Sequence, residues 1–306
     1  MLQPRIVFMG SPEFAVPSLR AAADLFSVVG VVTQPDKPAG RGKQLTPCAV
    51  KTAALQLGRP IIQPDKMREA MDQLRAWQPD LIIVAAFGKL LRAEVLTLPP
   101  FGCLNIHASL LPRHRGAAPI PAAILSGDSE TGVTLMKMDE GLDTGGILAA
   151  DSIPITPTDT ASTLTARLAD LGAQLLRRRL PDYLDGKLTP IPQNDSRATY
   201  APQLKKEDGL LRFTESAESL ERRVRAMSEW PGAFFDYNGS PVKVLRAHVR
   251  PDRVAAPGRV IRVEGQPAIG TAEGSLVLAE IQPAGKKPMP GASYLNGNPA
   301  FIGAQL

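Results

Sequence analysis

The sequence predicts an α/β protein: a doubly wound, mostly parallel sheet over residues 1–189, a linker over 190–207, and a small OB-like β-barrel over 208–306. Three observations lead there. Unbroken apolar runs at 5–10 (RIVFMG), 27–33 (SVVGVVT) and 81–86 (LIIVAA) read as strands buried on both faces, as parallel sheets require. Helical patterns separate those runs, which is the alternation of βαβ units. Past a stretch over 186–208 that carries Pro190, Pro192 and Pro202, short strand patterns follow at even spacing, the mark of a small antiparallel barrel.

In chain order, the first strand at 5–10 turns through GSPEF, where Gly10 stands alone. The three-glycine dinucleotide fingerprint is missing, which disfavours a nicotinamide enzyme. Pro12 and Glu13 suit the first turn of a helix running to about Ala23, Pro because no N–H is needed there and Glu because of the helix dipole. The strand at 27–33 leads into QPDKPAGRGKQLTP (34–47), too polar and too rich in Pro and Gly for a regular element. It reads either as a solvated loop or as a basic arm whose Lys37, Arg41 and Lys43 reach phosphates. Long structureless loops are uncommon in compact domains and are often functional. A helix over 47–57 stops at Gly58. A short strand at 60–63, a helix over 67–77, the strand at 81–86 and a helix over 90–96 follow.

The stretch CLNIHASLLPRHRGAAP (103–119) carries the chemistry. Asn105 and His107 stand two apart in an apolar strand, so they share a face roughly 7 Å apart. Pro112, Gly116 and Pro119 then turn the strand end into a loop. A second strand at 131–138 (TGVTLMKM) is followed by Asp139, Glu140 and Asp143 among glycines. The carboxylate is expected at that strand's carboxyl end, the edge where open α/β sheets bind ligands. An amide donor, an imidazole and a carboxylate suit acyl transfer. The plain alternative keeps His107 as a hydrogen-bonded core histidine, Asn105 as a strand-end cap and DTG as a turn.

Residues 121–125 make a short helix, 147–155 an antiparallel strand, and 160–183 one long helix with Thr or Ser as its cap. The arginine run at 177–179 falls in its last turns, where cations offset the dipole. Residues 219–227 (SLERRVRAM) form an amphipathic helix. Strands are expected at 233–237, 242–248, 258–264, 268–271 and 276–281.

At 306 residues the chain has room for two domains, and 44% hydrophobic with 21% charged residues is a globular composition. No apolar run approaches the ~18 residues of a membrane span, and the amino terminus reads as a strand without a signal-peptide shape. A cytoplasmic protein without an obligate protein partner is expected. Cys48 and Cys103 fit neither a disulfide framework nor a zinc site, so no metal is expected. A net charge of +5 permits a polyanionic partner without requiring one.

NIHASLLPRHRGAAPI followed by ETGVTLMKMDEGLDTG resembles the 10-formyltetrahydrofolate-dependent formyltransferase family, in which Asn, His and Asp occupy the places of Asn105, His107 and Asp143. The resemblance continues through EWPGAFF, PVKVLRA and PAGKKPM. It implies that backbone atoms of Ser109, Leu110, Leu111 and Pro112 hold the folate, with the pterin near Phe87 and Gly88. TQPDKPAGRGKQL resembles the insertion of the branch that formylates methionine carried on initiator tRNA, against relatives acting on small amines such as amino sugar nucleotides. That implies tRNA contacts from Arg41, Lys43, Lys205 and Lys206. Arg113 and Arg115 either meet the folate's acidic tail or the tRNA end, or pair with a carboxylate. The chain departs from the family pattern at His114, where an aromatic residue is usual, and at Cys48, where Ser is frequent. A tRNA-binding protein that keeps the fold without catalysis is the remaining alternative, and the intact Asn/His/Asp set argues against it.

Overall fold

The apolar runs become the central strands of one sheet. The structure is a computed structural model and describes residues 3–39, 44–252 and 254–306. The chain divides into two units, the first made of Met1–Pro119, Glu130–Pro154 and Thr165–Pro202, the second of Ile120–Ser129, Ile155–Leu164 and Gln203–Leu306. Up to Leu96 the elements are β1 (Arg5–Gly10), α1 (Val16–Leu25), β2 (Ser27–Val32), β3 (Lys37–Ala39), β4 (Gln44–Thr46), α2 (Ala49–Gln56), β5 (Ile61–Ile62), α3 (Met71–Trp77), β6 (Leu81–Ala85) and α4 (Ala93–Leu96). Then come β7 (Cys103–His107), β8 (Arg115–Gly116), α5 (Pro119–Ser126), β9 (Glu130–Lys137), β10 (Ile147–Pro154), α6 (Ala161–Leu184) and β11 (Tyr200–Ala201).

The main sheet has the order β10-β9-β7-β6-β1-β2-β5. From β5 through β2, β1 and β6 to β7 neighbouring strands are parallel. The chain leaves β1 for β2 on one side and returns through β6 on the other, so the switch point lies at the carboxyl ends of β1 and β6. β9 runs antiparallel to β7, and β10 antiparallel to β9. This corrects the expectation for the acidic turn. The carboxyl end of β9 lies beside the amino end of β7, with Lys137 opposite Leu104 and Thr134 opposite His107. The turn after β9 therefore reaches the site as a hairpin loop closed by Lys137 and Gly146, the Lys137 amide donating to the Gly146 carbonyl at 2.9 Å.

The alternation of β7 decides what each face holds. Leu104 and Ile106 are buried on the face covered by α6, where Gly172 lets the helix close in: a Cβ there would stand 2.9 Å from Ile106 Cγ2. On the other face Cys103 joins Val7, Met9, Trp77, Val84 and Val95 in the core. Asn105 and His107 continue the Cys103 face, so one row passes from core to polar side chains within five residues.

Two further pairs were not visible as apolar runs. β3 and β4 form an antiparallel ribbon with Lys37 opposite Thr46, where the sequence predicts no regular element. A polar two-stranded ribbon buries little and leaves no apolar period to read. β8 pairs in parallel with β11, Arg115 opposite Tyr200 and Gly116 opposite Ala201, so part of the expected linker is sheet.

The second unit carries α7 (Ala217–Ala226), β12 (Ala233–Tyr237), β13 (Ser240–Arg250), β14 (Val260–Val263), β15 (Gln266–Gly270), β16 (Ser275–Pro283), β17 (Met289–Pro290) and α8 (Gly291–Gly297). Its antiparallel sheet has the order β12-β13-β16-β15-β14, with β17 on β16. Val242, Val244 and Ala247 of β13 face inward, and Phe213, Phe235, Tyr294 and Phe301 fill the core, Phe235 stacked on Phe301 at 6.0 Å. The Ser216 side chain caps α7 by accepting from the Ser219 amide, and Leu220 and Val224 bury its apolar stripe.

Candidate active site

The strand end of β7 and the loop after β9 bring three polar side chains together. Asn105 is 9% and His107 6% exposed. Buried polar groups of this kind need partners. Asn105 Nδ2 donates to Asp143 Oδ1 at 3.3 Å. His107 Nδ1 lies 3.6 Å from Asp143 Oδ2. The ring's other nitrogen, Nε2, is 3.0 Å from the carbonyl oxygen of His114. Asp143 Oδ2 also accepts from the Gly116 amide at 2.9 Å. The sequence-predicted trio thus meets around one carboxylate. The His114 carbonyl and the Gly116 amide, on either side of Arg115, give each of its two titratable members a backbone partner.

Backbone conformation aims these groups. Asp143 has φ +54° and His114 φ +56°, left-handed values that cost a non-glycine residue about 1–3 kcal/mol and recur at functional sites. Asp is among the residues that accept this region most readily. Between them Gly116 has φ +118°, and a Cβ there would come within 2.6 Å of the Ala201 carbonyl oxygen. Only glycine allows β8 to carry its amide to Asp143 while pairing with β11.

A second ring of contacts comes from Arg115 and from residues the sequence does not mark. Gln193 Nε2 donates to the carbonyls of Asp143 and Gly145, both at 2.8 Å. Gln193 Oε1 accepts from Arg115 Nε at 3.1 Å and Nη2 at 2.8 Å. Arg115 is 2% exposed and pairs with Asp195 Oδ1 at 2.7 Å. Burial alone would lower its pKa, and the hydrogen bonds to Asp195 and Tyr200 more than reverse that, holding it above the usual arginine value. Arg115 is therefore spent on internal pairing, while Arg113 is exposed. Thr199 Oγ1 accepts from the His114 amide at 2.8 Å. Asp195 and Thr199 sit in the Pro-rich stretch, which offers no periodicity from which a site residue is read.

The loop after β7 is fixed by Thr134. Its Oγ1 donates to the Ser109 carbonyl at 2.7 Å and accepts from the Leu111 amide at 3.1 Å. Ser109 Oγ donates to the Arg113 carbonyl at 2.6 Å, and the Leu110 carbonyl accepts from the Arg113 amide at 3.1 Å. The Thr199 amide donates to the Pro112 carbonyl at 3.3 Å. Phe87, expected near a ligand, stands two residues past the end of β6. Its ring is 2% exposed and belongs to the core, and its carbonyl accepts from Gln34 Nε2 at 2.8 Å. Of the basic residues, Lys205 and Lys206 are exposed, whereas Arg41 and Lys43 lie outside the described residues. The arginines of the 177–179 run pair with Asp24, Asp151 and Asp182.

Comparison with known proteins finds relatives over nearly the whole chain. Residues 5–180 match the family described as formyl transferase, and residues 203–299 match the formyl transferase C-terminal domain. The methionyl-tRNA formyltransferase of Myxococcus xanthus (strain DK1622) is 50% identical over 312 residues, covering 100% of this chain and 98% of that protein. Among solved structures, HypX from Aquifex aeolicus in complex with tetrahydrofolic acid superposes with a TM-score of 0.64 at 19% identity. That match covers 96% of this chain and 47% of the HypX chain, so this chain spans about half its length. Methionyl-tRNA formyltransferase from Clostridium thermocellum gives a TM-score of 0.56 at 16% identity, over 80% of this chain and 93% of that one. At those identities the two structures speak to the fold alone.

Proposed function

The chain belongs to the formyl transferase family, and from that premise we propose that it transfers a formyl group from 10-formyltetrahydrofolate to the α-amino group of methionyl-initiator tRNA, giving N-formylmethionyl-tRNA. The observation that carries the reading is the meeting of Asn105 and His107 on one carboxylate, Asp143. The folate supplies the formyl carbon when bound. Its seat is the loop of Ser109, Leu110, Leu111 and Pro112, and the fit rests on backbone groups: the Leu110 amide and the Leu111 carbonyl have no hydrogen-bond partner among the described residues.

An α-amine has a pKa of about 7.7–8.0, so an appreciable neutral fraction is present at pH 7. Asn105 Nδ2 has two N–H groups. One holds Asp143 and the other is available to the carbonyl oxygen on which negative charge develops. His107 keeps its Nε2 hydrogen on the His114 carbonyl and, protonated or sharing a proton with Asp143 at Nδ1, stabilises the same charge. Asp143, beside Nδ1, accepts the proton released by the attacking amine, directly or through water. That proton would go to the donor nitrogen as its bond to the formyl carbon breaks and tetrahydrofolate leaves. Removing one oxyanion donor typically costs ~2.7–4 kcal/mol, or ~10²–10³ in rate.

For the tRNA, Arg41, Lys43, Lys205 and Lys206 supply the phosphate contacts in this reading, with Arg41 and Lys43 in the basic loop. An amino sugar nucleotide is the alternative acceptor. Half identity over the whole length of a methionyl-tRNA formyltransferase does not favour it. The deciding assay offers purified protein and 10-formyltetrahydrofolate either charged initiator tRNA or an amino sugar nucleotide. Formylation of the tRNA at least ~10²-fold faster is expected, about the discrimination a single binding site readily gives. Preference for the sugar would overturn the proposal.

A further inference from the structure

The stretch between α6 and the second unit is expected from sequence to be a linker, yet in the structure it holds a side chain that grips the loop of Asp143. Gln193 uses its whole hydrogen-bonding capacity. Two N–H donors go to the carbonyls of Asp143 and Gly145, and the oxygen accepts twice from the Arg115 guanidinium. An amide has two donors and one carbonyl oxygen, so nothing is left over. Its orientation is also fixed. Turned over, its oxygen would face two carbonyl oxygens and its NH2 group a guanidinium, and all four contacts would fail.

Arg115 anchors this amide from the strand that also touches the site. Its side chain is nearly fully buried and ion-paired with Asp195. Its own strand sends the Gly116 amide to Asp143 Oδ2. The residue before it sends a carbonyl to His107 Nε2. The short run from His114 to Gly116 therefore fixes the imidazole and the carboxylate through the main chain, and fixes the Asp143 backbone through Gln193. Such a hold keeps the Asp143 backbone in its left-handed conformation, φ +54°.

We propose that Gln193, oriented by Arg115, is a positioning residue that keeps the Asp143 carboxylate within reach of His107 and the acceptor amine. This rests on the proposed role of Asp143. A misplacement of about 1 Å costs up to ~10² in rate, so Gln193→Ala is expected to lower kcat about 10- to 100-fold. KM for the folate and for the tRNA is expected to stay unchanged, because the Gln193 amide spends its hydrogen bonds on Arg115, Asp143 and Gly145.

The test is a double-mutant cycle on kcat with Gln193→Ala, Asp143→Asn and the two combined, with Gln193→Met as a second, near-isosteric form that removes the same bonds. If Gln193 acts through Asp143, either Gln193 change costs nothing further once Asp143 is Asn. If either well-folded form lowers kcat in the Asp143→Asn background by the same factor as in the wild-type protein, Gln193 acts elsewhere and the proposal fails. An Asp143→Asn protein with wild-type kcat would instead remove the reading of the active site itself, so the two failures are separable. As a direct readout, the Gly116 amide resonance should shift in Gln193→Met toward its position in Asp143→Asn. An unmoved resonance would show the carboxylate still in place and overturn the clamp.

Discussion

His107 Nε2 lies 3.0 Å from the carbonyl oxygen of His114, and that contact settles which nitrogen carries hydrogen. A carbonyl only accepts, so Nε2 is the donor. In the neutral ring the lone pair then sits on Nδ1, 3.6 Å from Asp143 Oδ2. The His114 carbonyl thereby dedicates Nδ1 to proton handling.

Replacing His107 tests this directly. His107→Ala is expected to lower kcat by ~10²–10⁴, the usual contribution of a positioned acid or base. Binding of initiator tRNA, measured separately, should stay near the wild-type value. A purified His107→Ala protein that formylates at the normal rate would end the assignment.

Thr134 offers a test of the folate loop. Thr134→Val keeps the shape and removes the hydroxyl that holds Ser109 and Leu111. The Ser109 carbonyl and Leu111 amide are left without a buried partner, at about 1–3 kcal/mol. Both a lower melting temperature and a raised KM for the folate are expected, with KM for the tRNA unchanged. An unchanged folate KM would show that the loop is held by other means.

The exposed pair Lys205 and Lys206 bears on the tRNA. Every phosphate that a lysine neutralises adds roughly 0.9 to the steepness of log K against log salt on a duplex. Lys205→Ala with Lys206→Ala should therefore weaken tRNA binding and flatten that slope by up to about 2. An identical slope in the double variant would remove these lysines from the interface. In the same titration Arg41→Ala should narrow the preference for initiator over elongator tRNA, and an equal weakening on both would deny it a role in specificity.

Cys103 predicts an alkaline effect with a definite sign. Burial pushes its thiol from 9.0 up to about 12, so the folded state holds the proton more tightly than the unfolded one. Its contribution is intact below pH 9 and is lost as pH rises from about 9 to about 12, amounting to ~4 kcal/mol at 1.36 kcal/mol per unit. Urea unfolding across that range should show a shallower decline for Cys103→Ala than for wild type. Parallel declines would contradict it. In the native protein Cys48 should react with a thiol reagent and Cys103 should not, since Cys103 is 1% exposed.

What the sequence made legible follows from burial. β1, β2, β6 and β7 are apolar runs because both faces of a parallel sheet are covered, and Asn105 and His107 stand out as the polar break in one of them. β8 and β11 are two residues each and have no period to detect. Gln193 is one polar residue among prolines, and its meaning lies in Asp143, fifty residues earlier. Arg115 is left by the sequence between a ligand contact and a carboxylate partner, and only the structure shows the Asp195 carboxylate and Gln193 amide that permit its burial. Local pattern reports what an element buries, while long-range polar pairing leaves no local trace.

The parallel pairing of β8 with β11 also sets an order of events during synthesis. Arg115 meets Tyr200 across 85 residues, so the main sheet can close while the strand beside His107 is still unbraced. A chain growing on the ribosome has the imidazole and the carboxylate well before it has Ala201 outside the exit tunnel, and the competent centre appears late. A fragment stopped ahead of residue 190 would carry Asn105, His107 and Asp143 without Gln193, and on the proposed reading it would be slow.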